Sequence, residues 1–158
     1  IWRDLSQKIK SFDQELAKQA ESDEKVETTY RSVPGIGKVS SRLLANELGD
    51  LKQFSSVDKL YSFTGLTPSE YSSGNTVRKG HISRQGSSRI RKTLVECAWR
   101  AVEKDPALKS DYERIAARAG KKRAIVGVAR RLIGRVRACF QKNCQYLPFP
   151  TNLHTTNK

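Results

Sequence analysis

The sequence has no run of apolar residues long enough to cross a membrane. A spanning helix needs roughly 20 consecutive apolar residues, and no segment approaches that length. The first residues also lack the basic-then-apolar pattern of a signal peptide. These two absences predict a cytoplasmic protein with no membrane partner.

Cysteine is scarce. The three cysteines, Cys97, Cys139 and Cys144, are odd in number and lack the close-paired spacing of a zinc site. We therefore expect reduced thiols, with Cys97 and Cys139 buried on helices. The chain is predicted to contain neither a disulfide nor a metal site.

A convincing strand pattern is also missing, because apolar residues recur at helical spacing and not at every second position. At 158 residues and 37% hydrophobic content, the chain can still bury a core. We predict a mainly α fold, namely a helical domain with a helix-hairpin-helix-like motif, preceded by a coiled-coil-type helix. The predicted divisions are 1–30 for the end of that coiled-coil helix, 31–145 for the domain and 146–158 for a flexible tail.

Acidic residues become rare in the second half of the chain. Residues 1–77 carry 10 Lys and Arg against 11 Asp and Glu, whereas residues 78–137 carry 18 against 5. The formal net charge of +14 therefore belongs to one region. A solvated surface usually mixes signs, so this one-signed block favours binding of a polyanion, above all a nucleic acid, over a merely soluble face.

The N-terminal residues show the spacing of a helix that packs against another helix. The apolar positions step by three and four, and after an interruption Val26 and Tyr30 resume the register. The apolar positions before the interruption are Trp2, Leu5, Ile9, Phe12 and Leu16. The partner is either a helix upstream of Ile1 or the same helix of a second copy, and both remain open. Because the chain begins inside a helix, we expect it to be part of a longer protein.

Capping residues, glycines and prolines delimit the remaining predicted helices. Each carries apolar residues on one side, and the last also carries Arg123, Arg130, Arg131, Arg135 and Arg137 on its other faces. The predicted helices cover residues 39–48, 56–64, 88–104, 108–119 and 122–143.

A glycine turn joins the first helical region to the second. Gly35 and Gly37 let the backbone approach a phosphate, while the next helix offers free N–H groups and its positive dipole end. Lys38 would add a charge. The same residues also fit an ordinary turn between packed helices, so phosphate contact and simple packing both remain possible.

Residues 65–86 form a predicted long loop or hairpin rich in Gly, Ser, Thr and basic residues. A serine hydroxyl can attack a phosphate only if cations or N–H groups stabilise the developing charge. Suitable cations are Arg78, Lys79, Arg84 and Arg89. The alternative is that Ser72, Ser73 and Gly74 form a turn and the cations only grip a phosphate backbone. Further predicted contacts to nucleic acid are Arg91, Lys92, Arg130 and Arg131.

An ordered series of short motifs resembles one known family. It runs from Val33-Pro34-Gly35-Ile36-Gly37 through Leu43-Leu44-Ala45-Asn46-Glu47-Leu48-Gly49-Asp50, Phe54, Gly65-Leu66-Thr67-Pro68, Ser73-Gly74 and Gly80-His81-Ile82-Ser83-Arg84-Gln85-Gly86 to Arg89-Ile90-Arg91. The pattern is similar to the C-terminal transposase domain of the insertion-sequence 110 family, which includes the Piv-type DNA invertases. The likeness covers roughly residues 30 to 142 without large gaps, which makes it more specific than any single motif.

This resemblance implies a site-specific DNA recombinase that mobilises an insertion sequence. In that family a serine is thought to attack DNA and form a phosphoserine link, and it corresponds here to Ser73, with Ser72 an adjacent hydroxyl. A separate RuvC-like domain binds Mg²⁺ through four acidic residues. The implied partners are DNA at transposon ends and targets, a structured RNA from the element, and further copies of the full-length protein in a homo-oligomer. The implied location is the bacterial cytoplasm, at the nucleoid when bound.

The acidic residues before residue 30 lie on a predicted helix and not on the strands of a RuvC-like sheet. We therefore expect this chain to lack the Mg²⁺ site and to be inactive alone, while still binding nucleic acid. His81 could act as a general base, but an exposed or turn-forming histidine is favoured. Trp99 and Tyr112 are predicted to pack in the core. Two alternatives are a non-catalytic helix-hairpin-helix binding module and an inactive transposon remnant.

Overall fold

A computed structural model of the chain describes residues 2–19, 24–73, 76–83 and 85–148, and for residues 68–81 it describes the backbone. These ranges contain seven helices and one two-stranded antiparallel sheet. In chain order the elements are α1 (Trp2–Gln19), α2 (Glu24–Arg31), α3 (Lys38–Leu48), α4 (Val57–Thr64), β1 (Pro68–Ser73), β2 (Thr76–Ile82), α5 (Ser88–Lys104), α6 (Pro106–Ala119) and α7 (Lys121–Lys142). The predicted mainly α fold is confirmed. None of the described helices is both long and apolar enough to span a bilayer.

The core is organised around α7, which packs against α2, α4, α5 and α6. Apolar residues recur every three or four positions along this helix, so one side of it is continuously buried. Helical spacing predicts seven buried apolar positions on this side of α7, and the structure confirms all of them. They are Ile125, Val128, Ala129, Leu132, Ile133, Val136 and Phe140. The opposite faces carry the arginines, which places basic side chains around the core.

Local capping chemistry fixes where the central helices begin and end. The side chain of Ser56 accepts a hydrogen bond from the N–H of Lys59, and that of Ser87 accepts one from the N–H of Ile90. The sequence offered two neighbouring serines for each of these caps, Ser55 or Ser56 for α4 and Ser87 or Ser88 for α5, and the structure selects one of each pair. At the other end of α4, Gly65 has a left-handed backbone with φ of +67°, which glycine adopts without a steric penalty.

Residues 68–82 form a β-hairpin, which is one of the two alternatives, a long loop or a hairpin, that the sequence left open for this segment. Pro68 pairs with Ile82 and Ser73 with Thr76, with a register shift between Pro68 and Glu70. The apolar alternation that identifies strands is missing here because the hairpin is rich in serine, threonine and charged residues. Backbone pairing with the neighbouring strand defines these strands.

The N-terminal helices differ in exposure. On α1 the predicted apolar seam is exposed along its whole length, from Trp2 at 86% to Leu16 at 47%. On α2, Tyr30 is fully buried, its ring meets Phe140 edge-on at 5.2 Å, and its hydroxyl donates to the carbonyl of Gly49. The apolar register continued from α1 thus becomes part of the core at Tyr30.

A buried carboxylate, Asp105, joins four segments of the chain. It ends α5 and caps α6, accepting hydrogen bonds from the N–H groups of Ala107 at 2.9 Å and Leu108 at 3.2 Å. The guanidinium of Arg135 on α7 lies 3.3 Å away, and the hydroxyl of Tyr146 also donates to this carboxylate. Since Asp105 is fully buried, these donors replace the water it loses.

Tyr146 anchors the end of the described chain. Burial, followed by the hydrogen bond to Asp105, raises the pKa of Tyr146 to about 12, so its hydroxyl remains a donor at neutral pH. Its backbone N–H donates to the Ser32 hydroxyl at 2.9 Å, near the end of α2. Tyr146 begins the segment predicted to be a flexible tail, and residues 149–158 of that segment lie outside the described residues.

We expect Asp105→Ala to lower the free energy of unfolding by about 3 kcal/mol, because it removes a helix cap and leaves the Arg135 guanidinium without its buried partner. Tyr146→Phe, which removes one hydrogen bond, should cost about 1 kcal/mol. Urea unfolding followed by circular dichroism measures both. Asp58→Ala, at an exposed carboxylate, is the control and should change stability by less than about 0.5 kcal/mol. Equal effects of Asp105→Ala and Asp58→Ala would contradict the role given to Asp105.

Candidate nucleic-acid interface

Ser73 is the last residue of β1, and its backbone pairs with Thr76, the first residue of β2. It therefore lies at the tip of the hairpin. Along the same ladder Tyr71 pairs with Arg78, and Lys79 pairs with Glu70. Since alternate residues of a strand share a face, register places Ser73 and Arg78 on one face of the hairpin and Lys79 on the other. Arg84 and Gly74, both named from the sequence, lie outside the described residues.

The basic residues at the start of α5 have three different environments. Arg89 forms an ion pair with Glu47 of α3. Arg91 donates to the backbone carbonyls of Thr64, Gln85 and Gly86. Lys92 is exposed and makes no ion pair with any residue that the structure describes. Of the three predicted contacts, only Lys92 has a side chain uncommitted to another described group.

The two glycines of the turn between α2 and α3 have different surroundings, which the sequence alone did not distinguish. Gly35 has φ of +92°, and a Cβ atom there would lie 2.4 Å from the carbonyl oxygen of Cys97 and 2.8 Å from the backbone nitrogen of Ala101. Only a glycine permits this contact between the turn and α5. Gly37 is exposed, and the position that a Cβ atom would take there has no neighbouring atom within 4 Å. The packing and phosphate-binding interpretations thus apply to different glycines.

Gly37 also begins α3 without a side-chain cap, so the first N–H groups of that helix are not bonded by a capping side chain. Lys38 is the first residue of the helix and is exposed. The positive end of the helix dipole and a lysine therefore occupy the same solvent-facing place, which suits an anion.

The arginines in the middle of α7 make internal contacts. The guanidinium of Arg130 lies 4.3 Å from the centre of the Tyr61 ring and 3.8 Å from a carboxylate oxygen of Asp58. Arg131 is paired with Asp111, which also lies 3.2 Å from Arg114. Burial raises the pKa of Tyr61, although the charge of Arg130 opposes that effect.

A different group of cations is open to solvent where α6 meets α7. These side chains are all exposed and form no ion pair within the part of the chain that the structure describes. They are Arg118, Lys121, Lys122 and Arg123. Gly120, which begins α7, provides no side-chain cap, so the dipole end of α7 adds to their positive potential.

Two predictions on individual side chains have opposite outcomes. Cys97 and Cys139 are buried as expected, and burial raises the pKa of both thiols, that of Cys139 to about 11. Trp99 was assigned to the core but is 46% exposed, with its ring edge-on to Tyr112 at 5.6 Å. Helical spacing places it on the side of α5 that meets Tyr112 of α6, and this contact leaves nearly half of the large tryptophan residue exposed.

The described residues contain no cluster of three or more His, Cys, Asp or Glu side chains that could hold a metal ion. Their buried acidic groups are committed elsewhere, Asp105 to Arg135 and Glu27 to Arg42 at 2.8 Å. The donor set within these ranges therefore does not fit a Mg²⁺ site.

Residues 28–113 match the family model described as "Transposase IS116/IS110/IS902 family". That segment is more than half of the chain and includes the glycine turn, the hairpin and α5. The chain belongs to this transposase family.

Individual family members extend the likeness. The chain is 35% identical over 94 residues, 60% of its length, to the transposase for insertion sequence element IS1328 of Yersinia enterocolitica. It is 30% identical over 126 residues, 77% of its length, to the transposase for insertion sequence element IS1111A of Coxiella burnetii. The matched segments span 28% and 34% of those two transposases, so the chain corresponds to about a third of their length or less.

The two glycines of the turn should respond differently to alanine. Gly35→Ala should lower the free energy of unfolding by at least about 2 kcal/mol, because a Cβ would collide with the backbone of α5. Gly37→Ala should cost less than about 1 kcal/mol, since its φ of −89° suits alanine. Thermal or urea unfolding of both variants tests the distinction, and similar losses in the two would refute it.

Proposed function

We propose that this chain is the nucleic-acid-binding C-terminal part of a transposase, and that Ser73 is the nucleophile that attacks DNA in the full-length parent. The observation that carries the proposal is the position of Ser73 at the hairpin tip, on the face that register shares with Arg78. Membership of the transposase family supports DNA as the substrate.

In the proposed step the Ser73 hydroxyl oxygen bonds to the phosphorus of a DNA phosphodiester, and the bond from that phosphorus to one deoxyribose oxygen breaks. The hydroxyl loses its proton, the departing sugar oxygen gains one, and the number of phosphodiester-type bonds is conserved. Arg78, on the same face by register, is the cation proposed to stabilise negative charge on the phosphate. Lys79 and Arg84 are proposed to bind the flanking backbone.

The remaining chemistry is proposed to come from outside these residues. The parent is proposed to carry a RuvC-like domain with acidic ligands for Mg²⁺, in keeping with the poor fit of the described residues to a metal. We propose on this basis that the chain alone binds nucleic acid without recombining it. The exposed seam of α1 supports packing against another helix, from the parent or from a second copy in a homo-oligomer.

The exposed cations indicate which part of the surface we propose for binding the polyanion. Lys121, Lys122 and Arg123 point to solvent without ion pairs in the described chain, and Gly37 with Lys38 presents the open end of α3. We propose these two groups as the principal phosphate contacts, with Lys92 between the hairpin and the rest of α5. Arg89, Arg130 and Arg131 pair with Glu47, Asp58 and Asp111, which offset part of their positive charge, so their net contribution should be smaller.

A non-catalytic helix-hairpin-helix module is the second candidate. The exposed Gly37-Lys38 helix start supports it, because backbone N–H groups at such a turn can hold a phosphate without any nucleophile. The two candidates share the binding surface and differ only in the role of Ser73.

Binding should depend steeply on salt, because each phosphate contact releases counterions. The triple variant Lys121→Gln, Lys122→Gln and Arg123→Gln should weaken binding to duplex DNA and make the slope of log K against log salt shallower by up to about 2.7. Fluorescence anisotropy at several salt concentrations gives the slope, and a structured RNA titrated alongside shows whether the same surface serves both polyanions.

The matched control changes the same number of charges on α1, where acidic and basic residues are balanced, as Lys8→Gln, Lys10→Gln and Lys18→Gln. This control should leave the slope unchanged. If both triple variants reduce the slope equally, binding follows total charge and not the proposed surface.

In the full-length parent, Ser73→Ala should abolish both recombination and the covalent protein–DNA adduct, since no other atom at that position can form the phosphoserine link. Affinity for DNA should stay within roughly twofold, because the substitution removes no charge. Ser72→Ala is the control and should retain the adduct, which denaturing gel electrophoresis with labelled DNA detects. Adduct formation by the Ser73→Ala protein would remove Ser73 from the mechanism, whereas absence of an adduct from the protein with Ser73 intact would favour the non-catalytic candidate.

A further inference from the structure

The guanidinium of Arg91 joins the two ends of the hairpin segment. Its Nη1 donates to the backbone carbonyls of Thr64 at 3.4 Å, Gln85 at 3.2 Å and Gly86 at 3.1 Å. Thr64 precedes β1, whereas Gln85 and Gly86 follow β2. One side chain on α5 therefore holds the segment that enters the hairpin and the segment that leaves it.

Two glycines bring those segments into backbone contact. Gly65 and Gly86 have φ of +67° and +90°. A Cβ at Gly65 would lie 2.0 Å from the carbonyl oxygen of Gln85, and a Cβ at Gly86 would lie 2.0 Å from that of Phe63. Because no other residue fits, the crossing has a single close-packed arrangement. We call Arg91, Gly65 and Gly86 the hairpin clamp.

The backbone continues this order from the clamp into the strands. The N–H of Ser83 donates to the carbonyl of Thr67 at 2.8 Å, and the N–H of Leu66 donates to that of Tyr61 at 3.0 Å. Leu66 is buried with only 1% of its surface exposed. The two ends of the hairpin segment, at Leu66 and Ser83, are thus attached to each other and to α4 and α5 by hydrogen bonds and packing.

The charge of Arg91 also suits this place. Thr64 is the last residue of α4, so its carbonyl lies at the negative end of that helix dipole. A guanidinium supplies several N–H donors in a rigid plane, whereas a lysine ammonium is a single point on a flexible stem. All three carbonyls lie at one nitrogen, Nη1, which the guanidinium plane holds in place. The lysine side chain is one bond shorter and flexible, so lysine at this position would keep the charge without placing its ammonium at the position of Nη1.

We propose that Arg91 is a positioning residue that fixes the hairpin, and with it Ser73, relative to α5. This inference rests on the proposed role of Ser73 for its functional meaning. Its structural content is separate, since the clamp orders the hairpin whatever the hairpin does. Arg91 acts through the backbone and does not contact phosphate, in contrast to the nucleic-acid contact predicted for it from the sequence.

Hydrogen exchange in the 158-residue chain tests the clamp without any activity measurement. Arg91→Lys and Arg91→Ala should accelerate amide exchange in residues 68–82 by roughly tenfold or more, while protection along α7 stays at the wild-type level. Arg100→Lys, a matched change at an exposed arginine of the same helix, should leave exchange in the hairpin unchanged. Unaltered hairpin exchange in both Arg91 variants, or equal acceleration in α7, would overturn the proposal.

In the full-length parent, Arg91→Lys should preserve DNA affinity and its salt slope but lower the yield of covalent adduct by roughly tenfold, since the nucleophile is present but misplaced. A slope that becomes shallower by about 0.9 in Arg91→Ala but not in Arg91→Lys would identify a phosphate contact and overturn the positioning role. Failure of the Ser73 proposal is separately visible as adduct formation by Ser73→Ala, and the exchange result still decides whether the clamp exists.

Discussion

The buried carboxylate of Asp105 is the point on which the helical packing depends. A single acidic group ends α5, starts α6, neutralises Arg135 on α7 and bonds Tyr146. Without it, the N–H groups of Ala107 and Leu108 at the start of α6 would lose their capping acceptor, and the Arg135 guanidinium would lose its buried carboxylate. Because many arginines surround the core of this chain, carboxylates such as Asp105 balance part of their positive charge.

Two kinds of cation can be distinguished among the described residues of the basic region, residues 78–137. Arginines in the middle of α7 bond to Asp58, Asp105 and Asp111, where their planar donors hold neighbouring helices. Cations at the start of α7, residues 121–123, face solvent. The first kind contacts other parts of the fold and the second is the kind proposed to bind a polyanion, although both contribute equally to the net charge in the sequence.

Much of the helical architecture was predictable because its signals are local. Serine at a helix start signals a cap, so the sequence placed the caps of α4 and α5 to within one residue, although it did not choose Ser56 over Ser55 or Ser87 over Ser88. The apolar residues of α7 recur at helical spacing and were identified correctly. The hairpin could not be told from a long loop, since its residues lack apolar alternation and the pairing joins positions that sequence spacing does not relate. Trp99 was assigned wrongly because spacing gives the direction of a side chain and not the depth of the groove it enters.

The candidate site was predictable only in part for a similar reason. Gly35, Gly37 and Lys38 form a recognisable turn, but which glycine contacts α5 depends on backbone atoms of Cys97 and Ala101, more than 60 residues away in sequence. The carbonyls that Arg91 holds are backbone atoms too, so no residue type in the sequence signals them. Ser73 was identified through family resemblance, and its chemical role stays a prediction.

Dissolved salt should have two effects on this molecule: one on contact between the exposed apolar seams of α1 in different copies, and one on attraction to a polyanion. At low ionic strength, mutual repulsion between copies carrying a formal charge of +14 opposes contact between their α1 helices. Added salt screens that repulsion within a Debye length of about 10 Å at 0.1 M. The same screening weakens attraction to a polyanion. Colloidal behaviour and the proposed affinity for nucleic acid are therefore coupled, because the low ionic strength that keeps the free protein dispersed is also the condition in which that affinity should be highest.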